Sequence, residues 1–331
     1  MTIFVIYILT MIFISTFCET KFDNLRKRLA LEAIIANPIQ NIVVSPLLVR
    51  FPLCKLASIA SGYSRAELIT VLGINSTRML QNCFEGLKET MNPLKEIDVL
   101  LLNKIIVNYT DDINPNFVTN STDYGVKVDK VGFNYPTMAV SFINRWVEKA
   151  SYKRITRVLD QTDLNNKTSI LLLSVAYIKV TWEFLFDIRL TKNMKFHHRN
   201  GSISYVPMMS NTASYSYLND AINNMQIGVT QVFNESDSGL NEMLKKDSEI
   251  KNVMISKVKQ STFIDIDEMG IFRQEPVKEL FDVQNIQKDS SFVHNNIIAD
   301  RPFYFVIGLQ DMYHPLEIEE LFTGVYYGPK Y

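Results

Sequence analysis

Two apolar, strand-like segments, Thr262–Ile266 and Phe303–Ile307, enclose a long polar stretch from Asp267 to Asp300 that follows neither the helical nor the strand period. A structureless segment of that length is uncommon inside a compact domain, and where one occurs it is usually functional or disordered. Its backbone N–H and C=O groups have no ladder to join, so they need water, and the stretch must run over the surface. The flanking segments need a core. The chain is therefore expected to fold into a body that displays one long exposed loop, with function on that loop.

The rest of the chain must build that body. Of 331 residues, 47% are hydrophobic and 21% charged, an ordinary globular balance. Length alone allows one large domain or two, but no repeat, low-complexity block or linker divides the sequence. Phe22 to Ala36 reads as an amphipathic helix. Asn41-Ile-Val-Val-Ser45-Pro46 turns into a second apolar helix running to about Gly62, with Pro52 an interruption. Ser64-Arg-Ala-Glu67 has the form of a capping box, and the helix it opens stops near Gly73. Helices are also expected over Arg78–Met91 and Thr137–Ala150, and strands over Val99–Val107 and Ser169–Lys179.

Ile3 to Phe17 is almost wholly apolar and gives way to Glu19-Thr20-Lys21. Such a run is short for a membrane span and suits the core of a secretory leader cut before Glu19, although no Lys or Arg precedes it. Residues 1–18 are expected to be a signal peptide and 19–331 a single secreted, extracellular domain, free of the membrane once the leader is removed. Six N-x-S/T triplets, at Asn75, Asn108, Asn120, Asn166, Asn200 and Asn234, agree with passage through the secretory route and are candidate glycosylation sites. Cys54 and Cys83 would remain after leader removal. They could pair in that oxidising route or persist as buried thiols in apolar helices.

A formal net charge of -1 gives no reason to expect nucleic acid or an acidic membrane as partner. The local pairs Lys245-Lys246 and Lys257/Lys259 read as solvated faces. GxSxG, HExxH and GxxxxGK[ST] are all missing, and the four histidines, His197, His198, His294 and His314, have no ligand spacing. His197 and His198 would point to opposite faces of a strand. Neither an enzyme nor a cofactor or metal site is expected. Trp146 and Trp182 read as core packing.

Eight segments in order carry a family likeness. They are Asn41–Pro46, Gly62–Gly73 (GYSRAELITVLG), Ile143–Glu148 (INRWVE), Ala176–Asp187 (AYIKVTWEFLFD), Val206–Met209 (VPMM), Phe263–Gly270 (FIDIDEMG), Ala299–Ile307 (ADRPFYFVI), and Phe322-Thr-Gly324 with Pro329. They resemble the signature segments of the serpins, a likeness that covers the chain from near Phe22 to Pro329, with an overall character similar to divergent, secreted insect serpins of seminal fluid. The resemblance implies an α+β serpin fold, in which helices pack around a large mixed sheet with smaller sheets beside it and a reactive loop spans about 268–300. It also implies a monomer that meets an extracellular serine protease as a cleavable suicide substrate, its cut loop entering the main sheet as a new central strand.

Against that pattern the chain departs at several places. The hinge, Glu268-Met-Gly270, continues as Ile271-Phe-Arg273-Gln-Glu275-Pro276-Val277 where inhibitory relatives carry a small Thr or Ser and then mostly alanines. With period two, Ile271, Arg273, Glu275 and Val277 share a face, which the family geometry turns inward. Two buried charges and a proline without a ladder donor oppose insertion. Family spacing places the scissile residue at Gln284, with Lys278 and Lys288 as basic alternatives. At the sheet-opening region, Ser174 and Gln260 replace the family's Asn and His beside Ser45, and a bond between Ser174 and Gln260 is conceivable. Val180 stands in place of a glycine. Finally, Tyr217–Asp220 runs almost directly into Gln226–Phe233, so a central block of strands and helices is missing relative to the family. The expectation is weak or lost inhibition, with an extracellular binding, carrier or decoy role as the alternative.

Overall fold

The computed structural model describes residues 2–10, 40–74, 83, 87, 94, 98–123, 125–182, 185–211, 230–246, 248, 253–264, 266–271, 298–311 and 314–329. The strands in chain order are β1 (Thr2–Thr10), β2 (Ile42–Val44), β3 (Asp98–Asn108), β4 (Val126–Val131), β5 (Ile170–Thr181), β6 (Lys192–His197), β7 (Ile203–Met208), β8 (Ile255–Phe263), β9 (Ile266–Asp267), β10 (Gly270–Ile271), β11 (Phe303–Asp311) and β12 (His314–Tyr326). The longer helices are α1 (Pro46–Ile59), α2 (Gly62–Val71), α3 (Pro115–Asp123) and α4 (Pro136–Ala150).

β5 is the axis of a mixed main sheet. It pairs antiparallel with β3, which pairs parallel with β4, and on its other side it pairs parallel with β8. Both of its faces are covered, which is why its sequence is a nearly continuous apolar run. Leu171, Leu173 and Val175 pack under α4 with Ile143, Val147 and Phe133. Ile170, Leu172, Ala176 and Ile178 face the larger core around α1. α4 lies on the sheet through one stripe, Ala139, Val140, Ile143 and Val147, at the spacing a helix needs to bury one side. α1 is buried nearly all round, and this packing overrides Pro52: the helix continues through the expected interruption. Ser45 caps α1 by accepting from the Leu48 N–H at 3.3 Å.

The expected capping box does not form. α2 begins at Gly62, and Ser64 is buried, its hydroxyl donating to the Ser238 carbonyl. Glu67 instead accepts from the backbone N–H groups of Thr230 and Gln231 at 2.8 and 2.7 Å. A partner from a distant segment, invisible to a local pattern, takes each side chain away from its cap. Cys54 of α1 and Cys83 are joined as a disulfide, which decides between the two thiol readings.

A second, antiparallel sheet has the order β1-β11-β12-β2. β1, from the segment expected to be the leader, pairs with β11 over nine positions, Thr2 opposite Asp311 through Thr10 opposite Phe303. The rest of that leader and the Phe22–Ala36 helix lie outside the described residues. So do most of Arg78–Met91 and residues 212–229 at the shortened junction. Among the described residues, β7 pairs only with β6, and β8 only with β5.

Candidate functional site

The turn between β9 and β10 is built from Asp267. Its Oδ1 accepts from the Met269 and Gly270 N–H groups at 2.8 and 3.1 Å, closing a tight turn. Gly270 has φ 148°, a conformation that L side chains rarely adopt, so the glycine is required for the chain to reverse here. Trp182 holds the turn from the other side: its indole N–H donates to the Asp267 carbonyl at 2.8 Å, and its backbone N–H donates to Met269 at 3.2 Å. Phe186, edge-on to Trp182, donates its N–H to the Glu268 carbonyl, and Thr191 donates its hydroxyl to Glu268 Oε1 at 2.7 Å. Trp182 is therefore an anchor of the hinge as well as a packing residue. Its sequence context gave one clue, an indole N–H that needs an acceptor when half-buried.

Beyond this turn, β10 lies antiparallel between β5 and β9, with Gly270 opposite Thr181 and Ile271 opposite Val180. The hinge thus occupies the top of the space between β5 and the strand that leads to it. Lower down that space is shut, because β5 and β8 pair directly from Tyr177 opposite Phe263 to Ile170 opposite Ile255. Carrying the β10 register onward would set Arg273 opposite Ile178, Glu275 opposite Ala176 and Val277 opposite Ser174. Directly opposed residues share a face, and Ile178 and Ala176 are 1% and 0% exposed on the α1 side. Gln274 would be the first to need Tyr177 and Phe263 to part.

Midway along the shut seam, the Gln260 side chain clamps the backbone of Ser45. Gln260 Oε1 accepts from the Ser45 N–H at 3.0 Å, and its Nε2 donates to the Ser45 carbonyl at 2.9 Å. Ser174 is opposite Gln260 in register, yet its hydroxyl donates to Asn103 Oδ1 at 2.7 Å. The conceivable Ser174–Gln260 bond is not made. Ser174 is also aligned with Asn103 of β3, which takes its hydroxyl, while the α1 cap occupies the Gln260 amide.

The other sequence candidates divide cleanly. Glu268, Gly270 and Ile271 gather at the hinge. Arg273, Glu275, Pro276, Lys278, Gln284 and Lys288 lie outside the described residues, as does Asn75. Asn120 is on α3, while Asn166, Asn200 and Asn234 are exposed in loops and turns. Asn108, at the end of β3, is 8% exposed, with its Oδ1 buried and without a hydrogen-bond partner. The triplet pattern says nothing of burial, and a glycan on this side chain would have to displace packed neighbours. Among the described residues, no cluster of His, Cys, Asp or Glu could hold a metal.

The family model described as Serpin (serine protease inhibitor) matches residues 23–227 and 223–318. The chain is a serpin. Among curated proteins it is similar to Antichymotrypsin-2 of Bombyx mori, 28% identical over 228 residues that cover 69% of this chain and 60% of that protein. The chain thus spans less than two thirds of that relative's length. Among solved structures, this serpin's fold is similar to Serpin48 of the insect Tenebrio molitor, with a TM-score of 0.75 at 18% identity, covering 94% of this chain and 97% of that one. It is also similar to thyroxine-binding globulin in complex with thyroxine, with a TM-score of 0.74 at 16% identity, covering 94% and 99%. The α+β fold around a large mixed sheet is therefore that of the family, whose members are as a rule protease inhibitors and not enzymes.

Proposed function

We propose that this serpin acts outside the cell, presenting its 268–300 loop to serine proteases as a cleavable segment that inserts poorly, so that it serves as a binding, carrier or decoy protein with weak or no trapping activity. The observation that carries this reading is the hinge register. Continued from Ile271 opposite Val180, it directs Arg273 and Glu275 into the apolar face lined by Ile178 and Ala176. Taking two ions out of water there costs several kcal/mol each, by roughly the effective penalty found in proteins. Pro276 also lacks the N–H that a central strand needs. The names of the similar proteins cover both roles, an antichymotrypsin on one side and a thyroxine carrier on the other.

A trapping inhibitor remains the second reading, favoured by the two hinge residues already within the sheet. The test mixes the secreted chain with trypsin-like and chymotrypsin-like proteases and follows both products by denaturing electrophoresis. Cleaved serpin without a covalent complex is expected. A denaturation-resistant complex between serpin and protease would overturn the proposal.

Secretion is part of the same reading, and no described helix is long and apolar enough to cross a membrane. Leader removal at Glu19 would take β1 away and open the edge of β11, an exposed strand edge that invites pairing. A chain beginning at Glu19 is expected to associate with rising concentration in sedimentation runs. Strictly monomeric behaviour would mean that another segment covers β11.

A further inference from the structure

β5 and β8 part only if everything that straddles them also lets go. One such bridge is assembled from three charged side chains. The segment that returns from α4 to β5 is bound to α4: Asn144 donates to the Leu159 carbonyl at 2.9 Å and accepts from the Val158 and Leu159 N–H groups at 3.0 Å each. Leu159 and Leu164 sink into the same cluster as Ile143 and Val147. This return segment therefore belongs to the α4–β5 side of the seam. From it, Asp163 reaches across to β8, pairing with Lys257 at 2.9 Å and with Lys259 at 2.8 Å.

The register explains why both lysines meet it. Lys257 and Lys259 lie opposite Leu171 and Leu173, whose side chains are on the α4 face, so both ammonium groups emerge under the return segment. The Asp163 side chain is 8% exposed, whereas the lysines keep 38% and 29% of theirs in water. The Asp160 N–H also donates to Asp163 Oδ2 at 2.9 Å, so both carboxylate oxygens have fixed partners. Entry of any strand between β5 and β8 would move β8 outward by one strand spacing, roughly 4.8 Å. Contacts of 2.8–2.9 Å cannot span that shift, and a carboxylate so nearly buried would be left without its counter-ions.

We propose that Asp163, through Lys257 and Lys259, is a positioning residue that latches the seam of the main sheet shut and sets the rate at which any strand can enter it. The proposal concerns the seam, not the loop's own side chains. It therefore stands apart from the reading of Arg273, Glu275 and Pro276, and its test needs a strand that lacks them. The probe is a synthetic peptide of alternating Thr and Ala, about as long as the seam, carrying a fluorophore. Its uptake is followed by comigration with the serpin on native gels.

Asp163→Asn and the double variant Lys257→Gln/Lys259→Gln are each expected to speed uptake by about tenfold or more, the scale of losing charge-assisted hydrogen bonds to one carboxylate. Combining all three substitutions is expected to add little, because they remove one interaction. The peptide enters wild-type protein faster at high salt, and this salt effect is expected to vanish in Asp163→Asn. Uptake at the wild-type rate by a cooperatively melting Asp163→Asn protein overturns the latch, as does full additivity of the substitutions. If Asp163→Asn does not fold, the lysine double variant, altered only at partly exposed side chains, decides alone by the same rate comparison.

Discussion

Replacing Arg273, Glu275 and Pro276 by alanine should turn a loop that stays out of the sheet into one that goes in. In the extended hinge register the first two side chains meet Ile178 and Ala176, both sealed in the core around α1. Burying the pair costs several kcal/mol per ion, lowered in part because the two would be neighbours on one face and of opposite charge; the net is about 5–8 kcal/mol. Pro276 forfeits one ladder bond and strands its acceptor, about 1–3 kcal/mol more. The triple substitution should therefore favour insertion by roughly 6–11 kcal/mol relative to the natural loop. For a chain of this size the unfolding entropy is about 0.7 kcal/mol/K, which converts the difference into about 9–16 °C of melting temperature. To compare like with like, a recognition sequence for a site-specific protease is placed over residues 284–290 in both proteins, and each is melted before and after cleavage. The natural hinge is expected to show little change, and the triple variant a rise of that order. An equally large rise in both would refute the reasoning, since it would mean that the core accepts the charges.

Gln260→Ala removes both bonds to the Ser45 backbone and leaves the entrance to α1 unsatisfied; a loss of roughly 2–4 kcal/mol in urea unfolding is expected, with Gln260→Glu failing to restore it because a carboxylate cannot donate to the Ser45 carbonyl. Cys83→Ser opens a link between residues separated by 29 positions, and loop-closure entropy predicts a loss of about 3.5 kcal/mol, read by the same titration under oxidising conditions. Acid stability should carry the mark of Asp163. Burial works to raise its pKa but is outweighed by the Lys259, Asp160 and Lys257 hydrogen bonds, so its carboxyl is held well below the usual carboxylate range. Its contribution is present above the unfolded value of 3.8 and is lost as pH falls below it, a slope that Asp163→Asn should flatten. Asp111, raised by burial, runs the other way and costs stability as pH climbs through its folded pKa, so Asp111→Asn should help at neutral pH and not in acid.

Several features were legible in the sequence because they depend on short-range pattern. The β-prone run of β5 and the helix over α4 follow from side-chain period and composition, and the ordered segments up to Pro329 were enough to show family. The polar stretch after Asp267 lies for the most part outside the described residues. What the sequence could not supply were the pairings between distant segments. Ser64 and Glu67 have the spacing of a cap, but Ser238, Thr230 and Gln231 arrive from far along the chain and take their hydrogen bonds. Gln260 and Ser174 were suspected as partners, yet the tertiary fold brings Ser45 to one and Asn103 to the other. Asn108 satisfies a glycosylation pattern that contains no information about burial. Lys257 and Lys259 looked like an exposed charge pair, and only the return segment folded across β8 gives them Asp163. Local period fixes which residues make a strand and which face they share; it takes the packed whole to say what lies against that face, because hydrogen bonds and ion pairs act through space over a few ångströms, whatever the distance along the chain.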